Sequence, residues 1–326
     1  MNYRSINDLN ETIVRNLNKL PRDIDLIVGV PRSGLLVANI LALHLNLPLT
    51  DLEGLLQGRL IRSGERCNHS YSNNTDIFNG KILIIDDSVV SGSTMQGVGA
   101  QIQEANLHGE MIYSAVFVSS SGRSHVDFCF EEIRGGRVFE WNLMHSYVAT
   151  QSCVDIDGVL CEDPTDEEND DGHNYERFLL ETRPLRFPTV KLGYLVTCRL
   201  EKYRSLTEQW LQNHGIQYGQ LIMMNLPDKE ARLAAGNHAA FKADVYRKTE
   251  SLLFIESSLG QARNIAKLAN KPVLCTETQQ MIYPSSANYA AAKLSRAPNF
   301  LFRRLRTAAT WLRRRLLDLD PPQGRS

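Results

Sequence analysis

Two apolar runs that stop abruptly on carboxylates constrain this chain more than any other feature. Ile82-Leu83-Ile84-Ile85 is followed by Asp86-Asp87, and the short run ending at Val154 is followed by Asp155-Ile156-Asp157. A run made only of large aliphatics has no wet face, so it belongs in the middle of a parallel sheet covered on both sides. Acids at the carboxyl end of such a strand stand where open α/β sheets bind ligands. Further strand-like runs, Asp25 to Val30 and Met111 to Val118, flank the first acid pair and alternate with helical patterns such as Leu35 to Leu45. A second set starts at Ser152 to Leu160 and continues at Leu192 to Thr197, Gln220 to Met224, Leu252 to Ile255 and Pro272 to Cys275. A chain of 326 residues exceeds one ordinary core. The expected organisation is therefore α/β, with parallel-sheet domains at 1–149 and 150–285 and a tail of different composition at 286–326.

Charge and cysteine usage narrow the setting. Lys plus Arg (36) nearly cancels Asp plus Glu (37), so no overall field recruits nucleic acid, which is not an expected partner. Cys67, Cys129, Cys153, Cys161, Cys198 and Cys275 form no CxxC pair and no metal-binding spacing, as expected of reduced thiols. Met1 to Leu20 contains no signal-like apolar stretch, and no segment reaches the ~18 apolar residues of a membrane span. A cytoplasmic location is expected.

After Asp86-Asp87 come Ser88-Val89-Val90-Ser91-Gly92-Ser93-Thr94, small and hydroxylated residues leading into a helix. Backbone N–H groups and the helix dipole can converge there on a phosphate. An ordinary capped turn has the same Gly-Ser-Thr composition, but the acid pair in front of it favours a ligand site. These residues resemble the type I phosphoribosyltransferases, whose signature is an apolar strand, two acids and a loop ending in Thr-Gly-x-Thr or a close variant. Ser91 replaces the usual Thr. The resemblance implies that Asp86 and Asp87 hold the ribose 2- and 3-hydroxyls of phosphoribosyl pyrophosphate, and that Ser88 to Thr94 hold its 5-phosphate. Val28-Gly29-Val30-Pro31-Arg32-Ser33-Gly34 looks like the pyrophosphate loop of that family, with Arg32, Ser33 and Gly34 as donors. Leu55 to Asn79, with Arg59, Arg62 and Arg66, fits its closing loop. The implied reaction displaces magnesium pyrophosphate from the anomeric carbon. Neither Asn2 to Asn16 nor Phe139 to Asn142 matches a base-reading pattern. Trp141, His145 and Tyr147 fit an acceptor pocket and a domain junction equally.

Asp155-Ile156-Asp157-Gly158 places two acids two residues apart, and alone it also fits a calcium loop or a turn. Thr197, Lys242 and Glu256-Ser257 follow at later strand ends or helices. That order resembles the haloacid-dehalogenase superfamily. It implies a nucleophile at Asp155, an acid/base at Asp157, a hydrogen-bond donor to the phosphoryl oxygens at Thr197 and a charge-neutralising Lys242, with Lys248 as the other candidate. Asp155, Asp157 and Glu256 would hold Mg2+, although the family more often has Asp-Asp where Glu256-Ser257 stands. The implied reaction is phosphate-ester hydrolysis. Only 42 positions separate Asp155 from Thr197 and 45 separate Thr197 from Lys242, which leaves no room for a large cap. The two resemblances together imply two Rossmann-like domains, a type I phosphoribosyltransferase fold and then a capless haloacid-dehalogenase fold. The acidic loop Glu162 to Asp171 is expected to be a solvated flap.

Phe300 to Leu317 carries six arginines and no acid; as a helix it gathers Leu301, Phe302, Leu305, Ala308, Ala309, Leu312 and Leu316 on a face of about 120°. A basic amphipathic helix suits an anionic membrane, with docking on its own domain or in a homodimer as the alternative. Transfer followed by dephosphorylation makes sense when a ribosyl group without its 5-phosphate is wanted. The expected function is therefore ribofuranosylation of a glycan or other hydroxyl acceptor. The alternatives are a nucleobase transferase fused to a nucleotidase and a regulator sensing phosphoribosyl pyrophosphate.

Overall fold

The computed structural model describes residues 1–61, 75–236 and 238–285. Arg62, Arg66, Cys67 and the whole basic tail lie outside them. The strands are β1 (Asn2–Arg4), β2 (Leu26–Gly29), β3 (Leu49–Asp51), β4 (Lys81–Val89), β5 (Glu110–Val118), β6 (Phe128–Glu132), β7 (Arg137–Phe139), β8 (Ser152–Val154), β9 (Leu192–Leu200), β10 (Tyr218–Met224), β11 (Leu253–Glu256), β12 (Val273–Cys275) and β13 (Gln280–Ile282). The first sheet has the order β3-β2-β4-β5-β6 and is parallel throughout. Two-residue periodicity splits its central strands between two cores. Ile27, Leu83 and Ile85 face Val37, Ala38 and Leu41 of the helix Ser33–Leu45, whereas Leu26, Val28, Ile82 and Ile84 face Met95, Val98 and Ile102 of the helix Ser93–Glu104.

β4 does not stop at Ile85. It pairs with β5 as far as Val89, so Asp86 and Asp87 lie within the strand and not beyond it. Gly34 comes so close to this strand that a Cβ would meet the Ile85 carbonyl at 2.7 Å, which only glycine avoids.

The second sheet has the order β10-β9-β8-β11-β12-β13, parallel except for the β12–β13 pair. The five expected runs all form strands; β13, edged by polar residues, was not expected. β9 continues past Thr197 to Leu200, with an irregular register against β10 near Ile222 and Met224.

β1 and β7 form a separate two-stranded parallel sheet. One core contains Tyr3, Val138, Leu143, Met144 and Ala149 from the first 149 residues together with Val154, Leu195 and Ile255 of the second sheet and Trp210 of the helix Arg204–Asn213. The Tyr3 hydroxyl meets Gln279, and the Tyr283 hydroxyl donates to the Met1 carbonyl at 3.1 Å. A position near 150 thus separates the two large sheets in sequence, while the β1–β7 sheet and the segment Leu143–Ala149 pack into the core of the second. Leu143→Ala should cost about 2–5 kcal/mol and lower the melting of the whole chain in one calorimetric transition. Loss of the first sheet alone, with the second unfolding unchanged, would contradict a shared core.

Candidate functional site

The acids of β4 are buried, Asp86 and Asp87 being 7 % and 5 % exposed. Both Asp87 oxygens are held: Ser33 Oγ donates to Oδ1 at 2.8 Å and Trp141 Nε1 donates to Oδ2 at 2.8 Å. Asp86 Oδ1 accepts the Asp87 N–H at 2.8 Å. Burial and then the neighbouring Asp87 charge push the Asp86 carboxyl up to about 8. Two crowded acids with so little water suit a ligand that brings hydroxyls or a cation.

The following loop forms a cup. Val89 belongs to the core, and its carbonyl accepts the Ser119 N–H at 3.0 Å. The Val90 carbonyl is turned away, accepting from Ser119 and Ser121 at 2.7 and 3.0 Å. Gly92, at φ +80°, caps the helix Ser93–Glu104. The first N–H groups of that helix have no intrahelical acceptor. Ser91, Ser93 and Thr94 are exposed around them, and the Ser91 and Ser93 hydroxyls lie 3.1 Å apart. Ser88 is half-buried between acids and cup. Arg32 is exposed at the start of the helix Ser33–Leu45, while Ser33 bonds to Asp87 and Gly34 lies against Asp86. Arg59 pairs with Asp51 at 3.6 Å.

Of the three aromatic candidates, Trp141 belongs to the site. Its ring stacks on Phe139 at 4.7 Å, and Phe139 stacks on Phe117 at 5.3 Å. His145 instead meets Thr189 at 2.8 Å, and Tyr147 is 72 % exposed.

The second constellation sits at the carboxyl ends of β8 and β11. Lys242 Nζ donates to Asp155 Oδ2 at 2.6 Å, to Glu256 Oε2 at 2.7 Å and to Gln261 Oε1 at 3.0 Å. Lys248 is exposed and pairs with Asp244, so Lys242 is the lysine of this cluster. Burial raises Asp155 to about 8; Lys242 works against that rise, while Glu256 and Asp157 add to it. Burial disfavours the Lys242 charge, yet Asp155 and Glu256 hold it above its ordinary range.

Asp157 does not join them. Its carboxylate is gripped by Arg199, from Nη2 at 2.6 Å and Nε at 3.1 and 3.2 Å. Thr197 is fully buried, and its hydroxyl accepts the Arg199 N–H at 3.2 Å. Arg199 and Gln261 were not expected, although Arg199 stands two residues beyond Thr197 on the same face of β9. Among the described residues no three acids, imidazoles or thiols converge as a metal site. Asp155 and Glu256, crowded on one ammonium, fit a cation; the Asp157 carboxylate, already neutralised, does not.

Nor is the acidic loop merely a solvated flap. Asp171 accepts from Lys202 Nζ, Tyr203 and the Lys229 N–H, and Asp170 takes the N–H groups of Gly172 and Tyr175. A cleft of about 630 Å3 opens beside the cluster, lined by Gly158, Asp163, Arg186, Ser257 and Glu277 among others.

Residues 2–147 match the family profile of the phosphoribosyl transferase domain. The first sheet and its acid pair thus lie within the stretch that matches this domain. No curated protein matches the chain. Similar solved structures include a purine phosphoribosyltransferase from Pyrococcus horikoshii, at 18 % identity over 43 % of this chain and 92 % of that one, with a TM-score of 0.30. A xanthine-guanine-hypoxanthine phosphoribosyltransferase from Helicobacter pylori is 16 % identical over 43 % and 92 %, with a TM-score of 0.31. The UMP synthase of Leishmania donovani is 17 % identical over 42 % of this chain and 27 % of that one, with a TM-score of 0.26. None of the described helices is long and apolar enough to cross a membrane.

A raised acid is stable while protonated and becomes a burden once ionised. The Asp86 contribution is therefore full below the unfolded value near 3.8 and is lost as pH rises through about 8. Asp86→Asn should raise the melting temperature by a few degrees at pH 9, of the order expected for about 1 kcal/mol, and by much less at pH 4. An equal effect at both values would contradict the crowding of the two acids.

Proposed function

We propose that this chain transfers ribofuranose 5-phosphate from phosphoribosyl pyrophosphate to a hydroxyl of a polysaccharide or lipid-linked glycan, and then removes the 5-phosphate. The observation that carries this reading is that the stretch Leu143–Ala149, just after the Trp141 that holds Asp87, packs into the same core as the sheet bearing the Asp155–Lys242–Glu256 cluster. A phosphatase fused rigidly to a phosphoribosyl donor site has an evident use only if the phosphate is to be lost.

In the first step Asp86 and Asp87 would hold the ribose hydroxyls, the Ser88–Thr94 cup the 5-phosphate, and Arg32 with Ser33 and Gly34 the departing pyrophosphate. Pre-organisation counts here, because the oxocarbenium-like transition state needs positioning more than covalent help. In the second, Asp155 would take up the phosphoryl group while Lys242 offsets the negative charge. Asp157, oriented by Arg199, would protonate the leaving oxygen and later activate water. Thr197 is assigned to the phosphoryl oxygens, to which its hydroxyl can donate while it accepts the Arg199 N–H. A magnesium ion at Asp155 and Glu256 would supply further charge neutralisation. The second sheet's order supports a capless haloacid-dehalogenase-type core, and its open cleft suits a bulky substrate. Membrane contact through the basic tail, and a homodimer, remain parts of the proposal carried by the sequence.

A second reading has its own support: the indole stacked on Phe139 beside Asp87 offers a flat face of the kind a nucleobase would use. In that case the chain would be a nucleobase phosphoribosyltransferase joined to a nucleotidase.

The protein should be incubated with phosphoribosyl pyrophosphate, magnesium and membrane glycan acceptors, with mass spectrometry of the glycans. The wild type should add ribosyl groups, and Asp155→Asn should stop at phosphoribosyl groups. No mass gain with any glycan, together with pyrophosphate release on adding orotate, uracil or purines, would replace the first reading by the second.

A further inference from the structure

The short β1–β7 sheet carries two arginines that differ in one respect. Arg4, on β1, is buried with an acid of its own: it meets Glu131 and donates to the Tyr3 carbonyl at 2.9 Å. Arg137, on β7, has none. Both of its terminal nitrogens, Nη1 and Nη2, are buried without a hydrogen-bond partner among the described residues. Leaving several charged N–H groups dry and unpaired costs free energy that a folded chain ordinarily avoids. Burial pulls the Arg137 guanidinium below its ordinary range, and the field of Asp87 works against that pull. Arg137 and Phe139 lie on the same face of β7, the guanidinium carbon being 5.7 Å from the Phe139 ring centre. Phe139 in turn stacks on Trp141, whose indole is bonded to Asp87. The row Arg137, Phe139, Trp141 therefore leads to the carboxylate assigned to the donor ribose. Since Ser33 and Trp141 already occupy both Asp87 oxygens, Asp87 is close enough to be felt but does not pair with Arg137. In the same segment Asn142 Oδ1 is also buried without a partner, an acceptor with nothing to accept.

We propose that Arg137 reads a negative charge on the acceptor: the molecule whose hydroxyl attacks the donor carries a phosphate or carboxylate, and this guanidinium binds it beside the aromatic row. A guanidinium presents paired N–H groups that match either anion in a bidentate way, which a lysine cannot copy. The bound anion would restore the missing hydrogen bonds, so a neutral polyol of the same size would leave the arginine unpaired and bind worse. This rests on the transferase reading of the first site and narrows its acceptor to an anionic one.

The test uses the full chain, loaded with magnesium and phosphoribosyl pyrophosphate so that the phosphate cup is already filled. Glycerol 3-phosphate, glucuronate, glycerol and glucose are then titrated in by calorimetry, and donor affinity is measured separately. At least one anionic compound should bind roughly tenfold or more tightly than its neutral counterpart, the size expected of a charge-assisted pair. The phosphate and carboxylate arms show which anion is preferred. Arg137→Gln should abolish the preference, Arg137→Lys should restore only part of it, and donor affinity should stay within about twofold in both. If the donor binds while anionic and neutral compounds are equal, or if Arg137→Gln loses donor affinity to the same extent, the inference is overturned and the transferase reading stands. If the wild type does not bind the donor at all, the transferase reading falls, and the inference falls with it.

Discussion

The Asp87 carboxylate ties the first site together. One oxygen receives Ser33, at the start of the helix that follows β2, and the other receives Trp141, from the segment that follows β7. Three stretches far apart in sequence are thereby fixed on one another: the pyrophosphate-loop candidate, the acid pair and the aromatic row. The arrangement depends on β4 staying in register past Ile85, since its pairing with β5 through Val89 carries both acids beside Gly34. A strand that ended at Ile85 would leave them on a loose turn, exposed to water and without the burial that raises Asp86.

The second site uses the same geometry with a different charge balance. Asp155 and Glu256 share Lys242, two buried acids on one ammonium, so a further cation fits once Asp155 gives up its proton. Asp157 has been taken out of that balance by Arg199, which is itself fully buried and is held above its ordinary range by Asp157 despite the cost of burial. The result is a division of labour between two acids only two residues apart. Their environments differ because β8 pairs with β11 on one side and β9 on the other, and each neighbour contributes a different cation or helix.

What the sequence made legible was local. The Ile82–Ile85 run and the acids after it could be read because consecutive aliphatics leave a strand no option but burial. Lys242 and Glu256 could be placed through the resemblance carried by the order after Asp155-Ile156-Asp157, which leaves Lys248 open beside Lys242. Trp141 could not be placed: its partner is 54 positions away, and an aromatic near a domain boundary looks the same whether it faces a ligand or a neighbour. Arg137 was hidden for a related reason, since a three-residue strand pairing with the N-terminus is too short to show a periodicity. Arg199 was the avoidable omission, because its two-residue spacing from Thr197 already put both on one face. The acidic loop could be read as solvated, and Asp170 is indeed exposed, but acid-rich composition says nothing of the backbone N–H groups that Asp170 and Asp171 gather.

The central claim is that the acids of β4 form a sugar-phosphate donor site held ready by Ser33 and Trp141. Calorimetric titration of magnesium phosphoribosyl pyrophosphate into the wild type, Asp87→Ala and Ser33→Ala tests it most directly. The account predicts saturable one-to-one binding by the wild type, loss of roughly a hundredfold in affinity in Asp87→Ala and about tenfold in Ser33→Ala, in line with the loss of charged and single hydrogen bonds. Equal affinity in all three proteins would contradict it.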